Sequence, residues 1–400
     1  MINEPIFITG TGVISPLGLD SATFWTQLIS GTSGIGPLTK ISTEGLRNSR
    51  GGQVKNFQWE NYGEEGDCDE ASGFAFAAAQ EAAQMARLSD DEKQKCGLVF
   101  STNFGGAASW EACCDMARDE MFDAETFGQF LPDHAAKYTA ERWENNGPNM
   151  TVSNACSSGT HAIGIAYDLL KLGKCEIAIA GGFDGIGIST MAGLSILRTI
   201  SPDELKPFDV KRNGTIFGEG GAMVVLETES SMKKRGATPL AQVLGYGVSS
   251  NAHHLTAPDK GGAGLVLSMQ KALKHAGIEP EAVDYINAHG TGTQMNDVAE
   301  TEAIQTVFGA HAEKLAVSSI KAATSHLMGA AGAIEAIACV YALQNGILPP
   351  TINFESAGEG CVLNYIPNQA RNAQIEVALS NSSGIGGNNA SIILKKVATN

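Results

Sequence analysis

Ten short apolar runs, five in each half of the chain, constrain its fold more than any other feature. In the first half they cover residues 6–9, 97–101, 150–153, 177–180 and 222–226; in the second, 241–245, 283–287, 315–318, 377–380 and 391–394. Their lengths and the turn residues that bound them fit buried strands. Alanine-rich helical stretches such as 71–87 and 329–344 lie between them, which predicts an alternating α/β chain. The equal split around Pro239 suggests a duplicated fold with halves at 1–238 and 239–400. A chain of 400 residues exceeds what one hydrophobic core usually fills, which agrees with two halves. Residues 105–149 are polar and acidic, and read as helical excursions that cap the first half.

Val152-Ser153-Asn154-Ala155-Cys156-Ser157-Ser158-Gly159-Thr160 places a cysteine between a strand and a helix, because apolar residues recur at helical spacing from Ser158 onward. A thiol at a helix N-terminus meets unpaired N–H groups and the positive end of the macrodipole, which favour thiolate. The same N–H groups can bind an oxyanion. A buried structural cysteine is the competing reading. A similar string, Leu379-Ser380-Asn381-Ser382-Ser383-Gly384, occurs in the second half and is expected to occupy the pseudo-symmetric position, facing the same cavity as Cys156.

Two further segments carry chemistry. In Asn287-Ala288-His289-Gly290-Thr291-Gly292-Thr293 a histidine stands at a strand end beside glycines and two hydroxyls. In Ser318-Ser319-Ile320-Lys321-Ala322-Ala323-Thr324-Ser325-His326 a lysine and a second histidine stand between a strand and a small-residue helix. Singly, a structural histidine, a surface lysine and a capping histidine would account for them. Together with Cys156 they all fall at the strand-to-loop junctions where α/β sites are built. His161 reads as packing, whereas His253 and His254 lie in a loop that could touch substrate.

Charge narrows the partners. The 27 basic and 43 acidic side chains leave a net −16, which argues against nucleic acid or an anionic membrane. Lys206, Lys211 and Arg212 form a small basic cluster that reads as a solvated loop. The eight cysteines show no metal-type or disulfide spacing, so a reducing cytoplasm is expected. The N-terminal residues lack a basic start followed by an apolar core, and no apolar run approaches membrane-spanning length.

On these motifs the chain resembles the β-ketoacyl-acyl-carrier-protein synthases, the elongating condensing enzymes of fatty acid and polyketide synthesis. The resemblance runs from Ile8-Thr9-Gly10-Thr11-Gly12 through Asn154-Ala155-Cys156, Lys206-Pro207-Phe208-Asp209 and His289-Gly290-Thr291-Gly292-Thr293 to Gly384-Ile385-Gly386-Gly387. It implies a thiolase-like fold of α-β-α-β-α layers, in two pseudo-symmetric halves each with a five-stranded mixed sheet. It implies that Cys156 accepts an acyl group from an acyl carrier protein, with the N–H groups of Cys156 and Ile385 holding the oxyanion. His289 and His326, as neutral rings, would bind the malonyl thioester carbonyl through Nε2; Lys321 would orient His326. Thr291 and Thr293 would bind the pantetheine arm, and Ser383 and Ile385 would face the acyl channel. No metal or redox cofactor is called for. The implied partners are the carrier protein and either a second copy or a homologous chain-length-factor subunit.

The chain also departs from the family. Fatty-acid-type members carry two gate phenylalanines where this chain has Ser383 and Ile385, and a glycine where it has Ser325. Segments such as Tyr285-Ile286-Asn287-Ala288-His289 look more like catalytic subunits of type II polyketide or polyene synthases. A thiolase-type enzyme would need a second cysteine in the last glycine-rich loop, and residues 384–389 hold none. A non-catalytic chain-length factor would lack Cys156.

Overall fold

A computed structural model describes residues 4–58, 62 and 68–398; the first three residues of the N-terminal stretch read above lie outside them. Eleven strands form one sheet. They are β1 (Ile6–Ile14), β2 (Gly97–Ser101), β3 (Asn149–Val152), β4 (Ile177–Asp184), β5 (Gly220–Thr228), β6 (Ala241–Ser250), β7 (Tyr285–Asn287), β8 (Ala316–Ser318), β9 (Asn364–Tyr365), β10 (Val377–Ser383) and β11 (Asn388–Lys396). Their order is β9-β8-β7-β10-β11-β6-β1-β5-β4-β2-β3.

The duplication is visible in the pairing. From β1 outward, β1-β5-β4-β2-β3 pair antiparallel, antiparallel, parallel and parallel. From β6 outward, β6-β11-β10-β7-β8 repeat that sequence of directions, with the two-residue β9 added at the edge. The five-stranded sets join where Ile6, Phe7 and Ile8 pair with Val243, Gln242 and Ala241. In this correspondence the Cys156 turn, which follows β3, matches the Lys321–His326 segment, which follows β8. The string 379–384 ends β10, whose counterpart is β4, so it is not the repeat of the Cys156 turn. A short Ser/Asn/Gly string is too common to fix a register.

Layers follow from burial. The helices Ser158–Lys171 and Ala331–Asn345 pack against strands of both sets and against each other, forming the central layer. The second is buried all round apart from its C-terminal end and Tyr341, as expected of a helix with no solvent face. Their close crossing depends on glycine: a Cβ on Gly159 would lie 2.7 Å from Ala333 N, and one on Gly332 2.7 Å from Thr160 N. Outer layers are made by the helix Glu70–Met85 on β1, β4 and β5, and by Ala263–Ala276 on β6 and β11.

β1 runs five residues beyond the apolar stretch that marks it in sequence. Gly10 and Gly12 interrupt the apolar pattern, yet a Cβ at either would lie 2.2 Å or less from the carbonyl oxygens of Ala82 and Ala78. These glycines let the outer helix lie directly on the strand. The 105–149 region forms the helices Ala107–Arg118, Ala124–Phe130 and His134–Arg142, as expected. Arg212 departs from the solvated-loop reading: it is buried and donates to the carbonyl oxygens of Asp209 and Gln294 at 3.0 and 3.3 Å.

Candidate active site

Cys156 sits on a tight turn between β3 and the helix Ser158–Lys171. Ala155 adopts φ 51°, a left-handed conformation that costs about 1–3 kcal/mol outside glycine. Hydrogen bonds over-determine the turn: Asn154 N–H donates to Ser158 Oγ at 2.7 Å, Ser157 Oγ to Asn154 O at 2.8 Å and Ser158 Oγ to Ala155 O at 2.5 Å. The thiol itself is buried. Burial pushes it up to about 11, against the lowering pull of the Lys321 charge and of the Ile385 and Cys156 N–H groups. The helix end was expected to favour thiolate; desolvation, which the sequence does not display, outweighs it.

The two histidines meet edge to face, with ring centroids 5.4 Å apart. Phe217 stacks on His326 at 5.4 Å. Met328 N–H donates to His326 Nδ1 at 3.1 Å, so this nitrogen is an acceptor and the ring proton is on Nε2. Lys321 Nζ lies 3.2 Å from His289 Nδ1 and donates to the His289 carbonyl oxygen at 2.5 Å. An ammonium has no lone pair, so His289 also carries its proton on Nε2. Both rings are held well below the ordinary histidine value, first by burial and then by the Lys321 charge. They are neutral donors. Lys321 therefore fixes His289, whereas the resemblance implies that it orients His326.

Buried carboxylates that sequence reading missed hold this arrangement. Glu335 accepts from Lys321 in a short ion pair and is pushed up to about 7 by burial. Glu300 accepts the N–H groups of His289 and Gly290, each at 2.8 Å. Asp184 accepts Thr102 Oγ1 at 2.6 Å and Gly329 N–H at 2.7 Å, and Asp297 accepts Phe208 N–H at 2.7 Å. Of these, Glu335 had a signal: it is the one charged residue in the helix Ala331–Asn345. Ser325, beside His326, adopts φ 68° and ψ 179°, a region that favours glycine. Among the described residues its buried hydroxyl has no hydrogen-bond partner.

Cys156, His289 and His326 line one cavity of about 480 Å³, together with Thr291, Thr293, Ser383 and Ile385. Thr291 and Thr293 hydroxyls lie 2.9 Å apart on its wall. Lys321 stands behind His289, outside the lining. His254 also lines the cavity; His161 bonds Ser157 O at 3.0 Å, in keeping with packing. The string 379–384, although not the repeat of the Cys156 turn, does reach this cavity: a Cβ on Gly384 would lie 3.2 Å from Cys156 N. On the other side of Cys156 and Ile385 a second cavity of about 610 Å³ is lined by Phe104, Trp110, Phe130, Leu194 and Leu197, among others. Two of these, Trp110 and Phe130, come from the polar segment that showed no chemistry in sequence. Among the described residues, no group of three or more His, Cys, Asp and Glu side chains could hold a metal ion.

Comparison with known proteins identifies the family of the chain. Residues 3–231 match the beta-ketoacyl synthase N-terminal domain and residues 240–355 its C-terminal domain. Nodulation protein E of Rhizobium meliloti (strain 1021) is 38% identical over 99% of this chain and 100% of that protein. The 3-oxoacyl-[acyl-carrier-protein] synthase 2 of Coxiella burnetii is 36% identical over 99% and 100%. The solved ishigamide ketosynthase/chain length factor superposes with a TM-score of 0.94 at 33% identity, over 99% of this chain and 100% of that one. The chain thus belongs to the beta-ketoacyl synthase family, whose thiolase-like fold it has.

Proposed function

We propose that the protein condenses an acyl group held on Cys156 with a malonyl unit, both delivered as phosphopantetheine thioesters on an acyl carrier protein. The observation that carries this reading is the single cavity shared by one thiol and two neutral imidazoles whose protons are both on Nε2. The relative named as a 3-oxoacyl-[acyl-carrier-protein] synthase supports the carrier.

In the first half-reaction Cys156 Sγ adds to the thioester carbonyl carbon, and the N–H groups of Cys156 and Ile385 receive the oxyanion. The carbon–sulfur bond to pantetheine then breaks, and the thiol proton of Cys156 goes with the departing pantetheine sulfur. A thiol raised to about 11 gives up that proton as it attacks, not beforehand. In the second half, malonyl thioester places its carbonyl oxygen on the Nε2–H groups of His289 and His326. The bond to the carboxylate breaks, carbon dioxide leaves and the electron pair becomes an enolate stabilised by those two donors. Its carbon attacks the acyl-Cys156 carbonyl, the acyl–sulfur bond breaks and Cys156 is released as thiolate, which takes a proton from water to restore the thiol. Neutral rings suit this step, since an imidazolium would protonate the carbanion.

Thr291 and Thr293 bind the amide-rich pantetheine arm along the cavity wall, and Arg47 and Arg198, both exposed, line the same cavity. Ile385 stands between the two cavities, and the aromatic one receives the acyl chain. The missing gate phenylalanines and the ishigamide ketosynthase likeness favour a specialised synthase paired with a chain-length factor over a fatty acid homodimer. Co-expression with a homologous cysteine-less subunit tests this pairing; a stable symmetric dimer that ignores that subunit contradicts it. We place the reaction in the cytoplasm, a reducing compartment in which the Cys156 thiol stays available for acylation. The test of the reaction is incubation with malonyl- and hexanoyl-carrier protein, with carbon dioxide release and 3-oxooctanoyl-carrier protein as the expected products.

A further inference from the structure

The turn 384–387 joins β10 to β11 and carries Ile385, whose N–H favours the Cys156 thiolate; it lies against the Cys156 turn, since a Cβ on the neighbouring Gly384 would be 3.2 Å from Cys156 N. Gly386 and Gly387 have φ of 84° and 83°, and glycines flanking Ile385 leave the turn little stiffness of its own. Yet an oxyanion donor works only if it is already in place when charge develops. Side chains at the hairpin end supply that rigidity. Ser383 and Asn389 are the last cross-strand pair of the hairpin. Ser383 Oγ donates to Asn389 Oδ1 at 2.9 Å, and Asn389 Nδ2 donates to Gly387 O at 3.0 Å. Asn389 is 5% exposed, and Gly264, where a Cβ would lie 2.6 Å from Asn389 Nδ2, leaves the space it occupies. Outside the hairpin, Gly386 N–H donates to Leu255 O at 2.7 Å.

We propose that Ser383 and Asn389 are positioning residues for acyl transfer: their hydrogen-bonded clasp holds the Ile385 N–H where the tetrahedral oxyanion forms. The hydroxyl at 383 thus acts on the loop; it lines the cavity, but it is engaged by Asn389. A phenylalanine, which the resemblance places at this position in fatty-acid-type members, has no donor for such a clasp. The loop of this chain is therefore held by hydrogen bonds and not by packing of a ring. The inference rests on the proposed acylation of Cys156.

Ser383→Ala, Asn389→Ala and the conservative Ser383→Thr test it, each checked for an unchanged melting transition. Single-turnover hexanoylation of Cys156 by hexanoyl-carrier protein, read by intact mass, is expected to slow about tenfold or more in both alanine variants. Saturation by the donor should stay within about twofold, because the clasp acts on the transition state. Alkylation of the Cys156 peptide by iodoacetamide should also be slower than wild type at equal pH, as the N–H that favours thiolate is released. Ser383→Thr should restore both rates. Folded alanine variants with wild-type acylation and alkylation rates would overturn the clasp. Wild-type protein that takes up no hexanoyl group overturns the functional reading instead, and the alkylation series still decides on the clasp.

Discussion

Lys321 and Glu335 form a buried ion pair directly behind His289, each with 1% of its side chain exposed. Burial pushes the Glu335 carboxyl up, and the Lys321 charge beside it pulls the other way. Paired, they hold an ammonium against His289 Nδ1, and this fixes which ring nitrogen carries the proton.

Lys321→Ala leaves Glu335 buried without its partner, at a cost of about 3–5 kcal/mol. Urea denaturation should show that loss. Adding Glu335→Ala should recover part of the stability but none of the malonyl decarboxylation, because His289 has lost the donor that sets its tautomer. A double variant with restored decarboxylation would show that Lys321 serves stability alone.

Both imidazoles are depressed, so each is neutral above the ordinary histidine value of 6.5 and takes a proton only as the pH falls well below it. Nitrogen-15 NMR of histidine-labelled protein at pH 6.5 should show His289 and His326 neutral with the proton on Nε2, assigned by the His289→Asn and His326→Asn variants. A half-protonated ring at that pH contradicts the assignment.

Ser325 holds φ 68° and ψ 179° with a buried hydroxyl that has no partner among the described residues, and Gly52 and Gly218 make room for it. Ser325→Gly removes strain of about 1–3 kcal/mol and returns about 0.5–1 kcal/mol in chain entropy. A net gain of about 1 kcal/mol is expected in denaturant unfolding. Equal or lower stability would mean that the serine conformation is not strained.

Ile385 borders both cavities, so a larger ring there encroaches on the passage beside Cys156. Ile385→Phe should shift single-turnover acylation toward shorter chains across a panel of acyl-carrier proteins from two to twelve carbons. An unchanged profile would mean that the acyl chain does not pass Ile385.

How much of this was legible in sequence depended on how local each cause is. Cys156, His289, Lys321 and His326 could be found because each lies in the segment that follows an apolar run, and the structure places the thiol and both rings on one cavity with Lys321 behind. The ionisation of Cys156 could not: a helix end is a local feature, whereas burial of the thiol in the folded chain is not. Strand ends at Gly10 and Gly12 were hidden because close backbone approach removes the apolar side chains by which a strand is recognised. The carboxylates Glu300, Asp184 and Asp297 bond mostly to backbone N–H groups, which carry no residue-type signature.

Intact-mass analysis of the protein after incubation with hexanoyl-carrier protein tests the central claim most directly. One hexanoyl adduct is expected, mapped to Cys156, lost in Cys156→Ala and discharged when malonyl-carrier protein is added. An adduct that persists in Cys156→Ala, or none on the wild-type protein, would contradict it.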